Sequence, residues 1–205
     1  MSNGSVADHS RLDLYWIPLG AGASVVHASG QTYEALTALM HRRHRRDLFH
    51  SALVATTGDA RFFIEMAPSP DDRGPELRGV VGQGPVGTRW AGRFRTFRYE
   101  IRRWREGEIP DLRHAVASPV RITQDASAVQ RVLELVPRVP TPVWGRDEFE
   151  TGDMWNSNSV ISWILTEAGL VARAGRPPGN GRAPGWDAGV AVARRETESR
   201  LGAAR

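Results

Sequence analysis

The chain has 205 residues, of which 40% are hydrophobic and 24% are charged, and its formal net charge at pH 7 is +4. It contains no cysteine, and all 27 of its basic residues are arginine, so it has no lysine either. Disulfides, thiolate catalysis, cysteine-bound metals and lysine Schiff-base chemistry are therefore excluded.

Residues 1–11 are polar and lack the basic segment and apolar run of a secretory signal. No apolar stretch approaches the roughly 18 residues that a membrane-spanning helix needs. We therefore expect a cytoplasmic protein without a membrane partner. The balance of 27 basic to 23 acidic residues is close to even, so nucleic acid is not an expected partner.

The first half of the chain predicts strands and one helix. Apolar patterning and turn residues indicate strands at Leu12–Ile17, Leu48–Thr56 and Arg61–Met66, with a turn between the last two and a helix over Thr32–Arg45. The second half predicts strands at Arg78–Gly82, Phe94–Trp104 and His114–Ile122, a helix from the cap Asp125 to Val136, and a helix from Ser157 to Gly169. An antiparallel meander flanked by helices indicates the α+β class.

Residues 1–172 are expected to form a single α+β domain. Residues 173–205 are rich in Pro, Gly, Ala and Arg, and we expect them to form a poorly packed tail.

Ser157 is the strongest functional candidate. The apolar stripe of the last predicted helix runs back through Leu165, Ile164, Ile161 and Val160, and Ser157 is the next position on it. A hydroxyl in the first turn, pointing inward, lies beside free backbone N–H groups and the positive end of the helix dipole. A serine there is also a common helix cap; Asn156 could take the cap instead, and the sequence leaves this open.

His50 and Glu65 are the predicted companions of Ser157. If Gly58 and Asp59 form the turn, Thr57 pairs with Ala60 and, further along, His50 and Glu65 become diagonal neighbours on one face. Their backbones would be about 7 Å apart, which an imidazole and a carboxylate can bridge. A one-residue change in the turn would place them on opposite faces.

These motifs resemble a known family. A His opening a central strand (Phe49-His50-Ser51-Ala52-Leu53-Val54), Glu65 on the next strand, and Trp-Asn-Ser-Asn-Ser opening a late helix resemble the circularly permuted NlpC-type branch of the papain-like superfamily, which includes the LRAT and PPPDE domains. The likeness covers roughly residues 49–170. Members carry His, a polar residue and then a Cys at the helix start, where this chain has serine.

The resemblance implies a papain-like fold and hydrolysis or acyl transfer on an amide or ester. Ser157 would stand in the position of the nucleophile, His50 in that of the base and Glu65 in that of the orienting group. Asn156 and Asn158 would support the oxyanion. The expected partner is a small-molecule, peptide or lipid-like acyl substrate, with no cofactor and no metal. Since a serine hydroxyl is far less acidic than a thiol, an inactive papain-like binding module is the alternative.

Two further segments complete the predicted surface. The loop before the Ser157 helix would line a cleft with Trp144, Arg146 and Trp155. The segment Arg93-Phe94-Arg95-Thr96-Phe97-Arg98-Tyr99 interleaves arginine with aromatic residues, a pattern that nucleic-acid-binding sheets use. We interpret it instead as a strand with its aromatic face in the core.

Overall fold

The computed structural model describes residues 9–19, 48–69 and 74–203. Six strands form one antiparallel sheet in the order β4-β5-β3-β2-β1-β6. The strands are β1 (Arg11–Pro18), β2 (Phe49–Thr57), β3 (Ala60–Pro68), β4 (Val80–Pro85), β5 (Arg98–Arg105) and β6 (Val120–Thr123). The predicted helix over Thr32–Arg45 lies outside the described residues.

Three α-helices follow the sheet in sequence: α1 (Ala126–Leu135), α2 (Ser157–Glu167) and α3 (Trp186–Ala203). Their apolar side chains share one large core with one face of the sheet, which includes Leu53 of β2, Val132 of α1 and Ile161 of α2. The predicted α+β class is confirmed. No helix in the described ranges is both long enough and apolar enough to cross a membrane.

The opposite face of the sheet carries a second, smaller core. It contains Ile17, Ala52, Val54, Phe63 and Ile109. Side chains alternate between the two faces along each strand. On β2 the odd-numbered residues therefore face the helices and the even-numbered residues face this smaller core.

The β2–β3 hairpin has the predicted register. Thr57 pairs with Ala60 around a turn in which Gly58 has a φ of 54°, a conformation that favours glycine. The pairing extends as far as Leu53 opposite Ile64. Residues 49–52 of β2 and 65–68 of β3 belong to the strands but do not pair with each other. The sheet is thus open between the start of β2 and the end of β3.

The expected strand over Phe94–Trp104 begins only at Arg98. Residues 91–97 instead form two 3-10 turns, Ala91–Arg93 and Arg95–Phe97, stabilised by local backbone hydrogen bonds. Phe94 therefore does not enter the core, and 52% of its surface is exposed. The predicted start of the strand at Phe94 was wrong, whereas Tyr99 and Ile101 of its predicted core face are buried.

The C-terminal segment is packed, contrary to the expectation of a loose tail. Ala188, Val192 and Ala193 of α3 are buried, and the helix lies against α2. Val192 and Ala193 belong to the large core. Gly189 makes this approach possible, because a Cβ there would come within 2.1 Å of the carbonyl oxygen of Ser159. Small residues, rather than a broad apolar stripe, bury this helix.

The predicted strand over His114–Ile122 is also shorter. Residues Pro110–His114 form a 3-10 helix, and only Val120–Thr123 pair with β1 as an edge strand. Proline at 110 and 119 removes backbone donors on either side of the connection, which limits strand pairing there.

Candidate functional site

Asn156 caps helix α2. Its Oδ1 accepts hydrogen bonds from the backbone N–H groups of Asn158 (2.9 Å) and Ser159 (3.4 Å). Ser159 Oγ accepts in turn from the Asn156 N–H at 3.0 Å, which completes a capping box. The Asn156 Nδ2 donates to the carbonyl of Pro184. With these contacts the Asn156 side chain is occupied, so it is not free to hold an oxyanion.

Ser157 neither caps the helix nor links it to another segment. It is the first residue of α2 and only 8% exposed, yet within the described part of the chain neither its hydroxyl nor its N–H makes a hydrogen bond. The alternative that Ser157 is itself the cap is therefore excluded. A free hydroxyl and a free N–H meet at the positive end of the helix dipole, where negative charge is stabilised.

Asn158 connects α2 to the strand that carries His50. Its Oδ1 accepts a hydrogen bond from Ser51 Oγ at 2.9 Å, and its Nδ2 donates to the carbonyl of Phe49 at 2.9 Å. Phe49 and Ser51 are the two neighbours of His50. The residue next to Ser157 is thus bound on both sides of His50, and the two segments are held against each other.

The opening in the sheet explains this contact. The N–H of Phe49 donates to the carbonyl of Arg182 at 2.8 Å, while its carbonyl accepts from Asn158. Successive residues of a strand direct their backbone groups to opposite sides. Because the Leu48 carbonyl accepts from Leu19 on the β1 side, both backbone groups of Phe49 point to the other side, on which β3 pairs with later residues of β2. The start of α2 and the segment at Arg182 therefore occupy the place that β3 leaves.

His50 lies on the face of the smaller core. Its partner on β1 is Ile17, which belongs to that core, whereas the neighbouring Ser51 faces α2. Burial lowers the pKa of His50 to about 4, so the imidazole is neutral at pH 7. No hydrogen bond joins it to Ser157 or to any other described residue. A contact with Ser157 would have to pass through the opening between β2 and β3.

Glu65 is on the same face as His50, but the predicted diagonal pair does not form, because β2 and β3 stop pairing at Leu53 and Ile64, and the Glu65 carboxylate is bound elsewhere. Arg102 Nη1 donates to Glu65 Oε1 at 3.0 Å, and the same guanidinium contacts Glu100, which also binds Arg78. Burial raises the pKa of Glu65, and Arg102 opposes that rise. Glu65 belongs to a buried row of alternating charges and does not orient the imidazole of His50.

The predicted cleft residues are placed mostly in the interior. Trp144 and Trp155 are 7% and 1% exposed and join the large core, so neither forms a cleft wall. Trp144 stacks edge-on against Tyr99 at 5.7 Å. Arg146 donates from its Nε to the carbonyl of Gly87 at 2.8 Å, so its contact is with a loop rather than with the Ser157 site.

Sequence reasoning missed the segment before α3. Pro184 and Gly185 accept hydrogen bonds from Asn156, Asn158 and Ser159 through their carbonyls. Gly185 has a φ of 84°, and a Cβ there would come within 2.5 Å of Asn156 Oδ1. The Ala-Pro-Gly-Trp run marked a turn, but no periodicity linked it to α2. Ser51 could have been found, as a polar residue on the buried face of a central strand.

The described residues contain no cluster of three or more His, Asp or Glu side chains that could hold a metal ion. Comparisons with protein-family models, with curated proteins and with solved structures found no match to this chain.

Proposed function

We propose that the protein is a hydrolase or acyltransferase for an amide or ester, with a papain-like fold of the permuted NlpC type and Ser157 as its nucleophile. One observation carries the proposal. Asn158 binds the residues on both sides of His50, which holds an unpaired hydroxyl and an unpaired imidazole in neighbouring segments. The chain order of the His strand, the acidic strand and the late helix supports the fold.

The chemistry follows from the free groups. Ser157 Oγ attacks the substrate carbonyl, and its proton passes to His50 through the opening between β2 and β3, since the imidazole lies on the opposite face of the sheet. The C–O⁻ that forms accepts a hydrogen bond from the Ser157 N–H, with the helix dipole adding to its stabilisation. The leaving amine or alcohol takes the proton from His50 as the bond to it breaks. Water or a second acceptor then attacks the acyl-serine with His50 again as base.

The base in this mechanism acts without a carboxylate partner, because Arg102 holds Glu65. An imidazole with a pKa of about 4 is a weak base, but it stays in its basic form over a wide pH range. We expect kcat/KM to fall only as the pH drops through about 4, rather than near the ordinary pKa of histidine.

A second candidate is a binding module without turnover. It is favoured by the absence of a hydrogen bond between His50 and Ser157 and by the engagement of Glu65 with Arg102. A ligand carbonyl or carboxylate would accept hydrogen bonds from the Ser157 hydroxyl and N–H. The same residues bind in both candidates, and only the proton transfer differs.

The absence of cysteine allows a direct test. In Ser157→Cys the protein carries a single thiol, whose alkylation rate is followed against pH with and without His50→Ala. Ser127→Cys is the matched control, since Ser127 is exposed in the first turn of α1 and far from His50 in the sequence. A thiol pKa well below about 8.5 that rises on removing His50 supports the catalytic pair, because it requires the thiol proton to pass to His50, with the thiolate raising the imidazole pKa above about 4.

A thiol pKa that is ordinary, or that does not respond to His50→Ala, contradicts catalysis and favours the binding module. Turnover is then measured on a panel of aryl esters and peptide amides. Ser157→Ala should abolish any activity while leaving the urea midpoint close to that of the wild type. Activity retained in Ser157→Ala would also overturn the proposal.

A further inference from the structure

A separate feature lies at the far edge of the sheet from β1. A surface cavity of about 390 Å³ opens beside the edge strand β4, and three of its lining residues are Arg89, Arg93 and Arg98. The cavity is open to solvent rather than enclosed, so a ligand would be bound along its rim. Among the described residues, no acidic side chain lines the cavity.

The charge of the cavity is only partly neutralised. Arg89 binds Glu148, with Nε to Oε1 at 2.8 Å, on the protein surface. Arg98 uses its Nε on the Gly92 carbonyl, a neutral group. Arg93 is exposed, and its guanidinium makes no ion pair or hydrogen bond within the described ranges. About two positive charges are thus available to an anionic ligand.

Two exposed aromatic rings stand on the same turns. Trp90 and Phe94 are 64% and 52% exposed, although large aromatic side chains are usually mostly buried in a folded protein. Their rings contact each other edge-on at 5.6 Å, and they alternate in the sequence with Arg89 and Arg93. Flat faces next to guanidinium groups are suited to stacking with a base while a phosphate is held nearby.

The turns are anchored, so these side chains project from fixed backbone. Val86 donates its N–H to the Phe97 carbonyl at 2.8 Å, and Gly87 donates to the Trp144 carbonyl at 3.1 Å. Gly92 packs directly on Pro85, since a Cβ at Gly92 would lie 2.7 Å from that of Pro85. A preorganised site loses little conformational entropy when it binds.

We propose that this surface, the cavity with Arg89, Arg93 and Arg98 and the rings of Trp90 and Phe94, binds a nucleoside phosphate. The guanidinium groups of Arg93 and Arg98 hold the phosphate, and an exposed ring stacks on the base. The nucleotide is either free or part of a single strand. The alternation of arginine with aromatic residues over Arg93–Tyr99 is visible in the sequence, but the near-even total charge and the expected strand argue there against a nucleic-acid partner.

The experiment uses the full chain and three probes: AMP, a labelled 12-residue oligothymidylate and inorganic phosphate. Affinities are measured at low salt, and for the strand also against salt concentration. Arg93→Gln and Trp90→Ala are compared with Arg138→Gln and Leu77→Ala, which change an exposed arginine and an exposed apolar residue elsewhere. All four positions are exposed, so the fold is expected to be kept, and urea midpoints verify this.

We expect Arg93→Gln and Trp90→Ala each to weaken nucleotide binding at least tenfold, with the two controls within twofold of the wild type. Strand binding well above AMP binding, with a salt slope that falls by about 0.7 in Arg93→Gln, identifies a strand as the ligand. Equal affinity for AMP and the strand identifies the free nucleotide.

Three results would overturn the proposal. The first is no binding of AMP or the strand at low salt. The second is binding of phosphate as tight as that of AMP and insensitive to Trp90→Ala, which would mean that no base is recognised. The third is an equal loss in Arg93→Gln and Arg138→Gln, which would mean that only the total charge acts. None of these outcomes bears on Ser157.

Discussion

Helices α1 and α2 both begin with a capping side chain, but the two helix starts are stabilised in different ways. At α1, Asp125 accepts from the Ala128 N–H at 2.8 Å and from Ser127 Oγ, and all of these groups lie near the surface. At α2, the cap and its neighbours bind β2 and the segment before α3 as well. A local motif specifies the first helix start, whereas long-range contacts specify the second.

Breaking the long-range contacts should have the largest effect. Asn158→Ala removes the bonds to Ser51 and to the carbonyls of Phe49 and Pro184, and leaves buried groups without partners. We expect a loss of about 3 kcal/mol in the free energy of unfolding, measured with urea. Asn158→Asp keeps the acceptor for Ser51 but places a buried carboxylate against the carbonyls of Phe49 and Pro184, so we expect a loss at least as large as that of Asn158→Ala. A loss no greater than that of Asp125→Ala would show that α2 is no more dependent on distant segments than α1.

The packing of α3 on α2 is tested with two glycines of the same helix. Gly189→Ala would place a Cβ 2.1 Å from the Ser159 carbonyl oxygen, so we expect a loss of about 2 kcal/mol from overpacking. A Cβ at Gly202 would meet nothing within 4 Å, and Gly202→Ala should be neutral or stabilise by up to about 1 kcal/mol. Equal effects in the two variants would mean that α3 does not pack closely here.

Acid should weaken the region around His50. The pKa of His50 is lowered to about 4 by burial, from an unfolded value near 6.5, so the unfolded chain binds this proton more readily. The stability is complete above the unfolded pKa and decreases as the pH falls toward the folded one. Between about pH 6.5 and 5.5 the loss should be about 1 kcal/mol. His50→Gln should remove this part of the pH dependence, and an unchanged slope would show that other groups cause it.

The smallest effect is expected at α1. Hydrogen bonds from Ser127 and from the Ala128 N–H lower the pKa of Asp125, so its stabilising contribution is present above the unfolded pKa and is lost as the pH falls through the folded one. Asp125→Ala should lower the thermal midpoint less than Asn158→Ala, and Asp125→Asn should recover most of the loss at neutral pH. If Asp125→Ala unfolded the protein, the start of α1 would not be the local motif described above.

The sequence predicted those parts of the fold that depend on neighbouring residues. The turn at Gly58 and Asp59 set the register of β2 and β3, and Asp125 with its following apolar stripe located α1. α3 was missed because Ala188, Gly189 and Ala193 bury it through close approach, and small residues leave no apolar period.

The candidate site was predictable only in part, for the same reason. Ser157 was found from its position on a helical stripe, and Asn156 was considered as a cap. The sequence could not show that residues 49–52 of β2 do not pair with β3, nor that Asn158 would bind at the opening this leaves. The assignment of Glu65 to His50 depended on a register that holds only as far as Leu53 and Ile64, and Arg102, on the next strand of the sheet, is a stronger partner for a buried carboxylate.

The opening between β2 and β3 also bears on how the chain acquires its structure. At this strand edge Asn158 binds the Phe49 carbonyl and Arg182 binds the Phe49 N–H, and the contact of the Ser51 hydroxyl with Asn158 joins residues 107 positions apart. During synthesis, β2 and β3 emerge long before the groups that satisfy this edge. A strand edge left unpaired for that interval can associate with other nascent chains. Contacts of such high sequence separation also slow folding, so the hydrogen bonds that hold Ser157 beside β2 should be among the last to form.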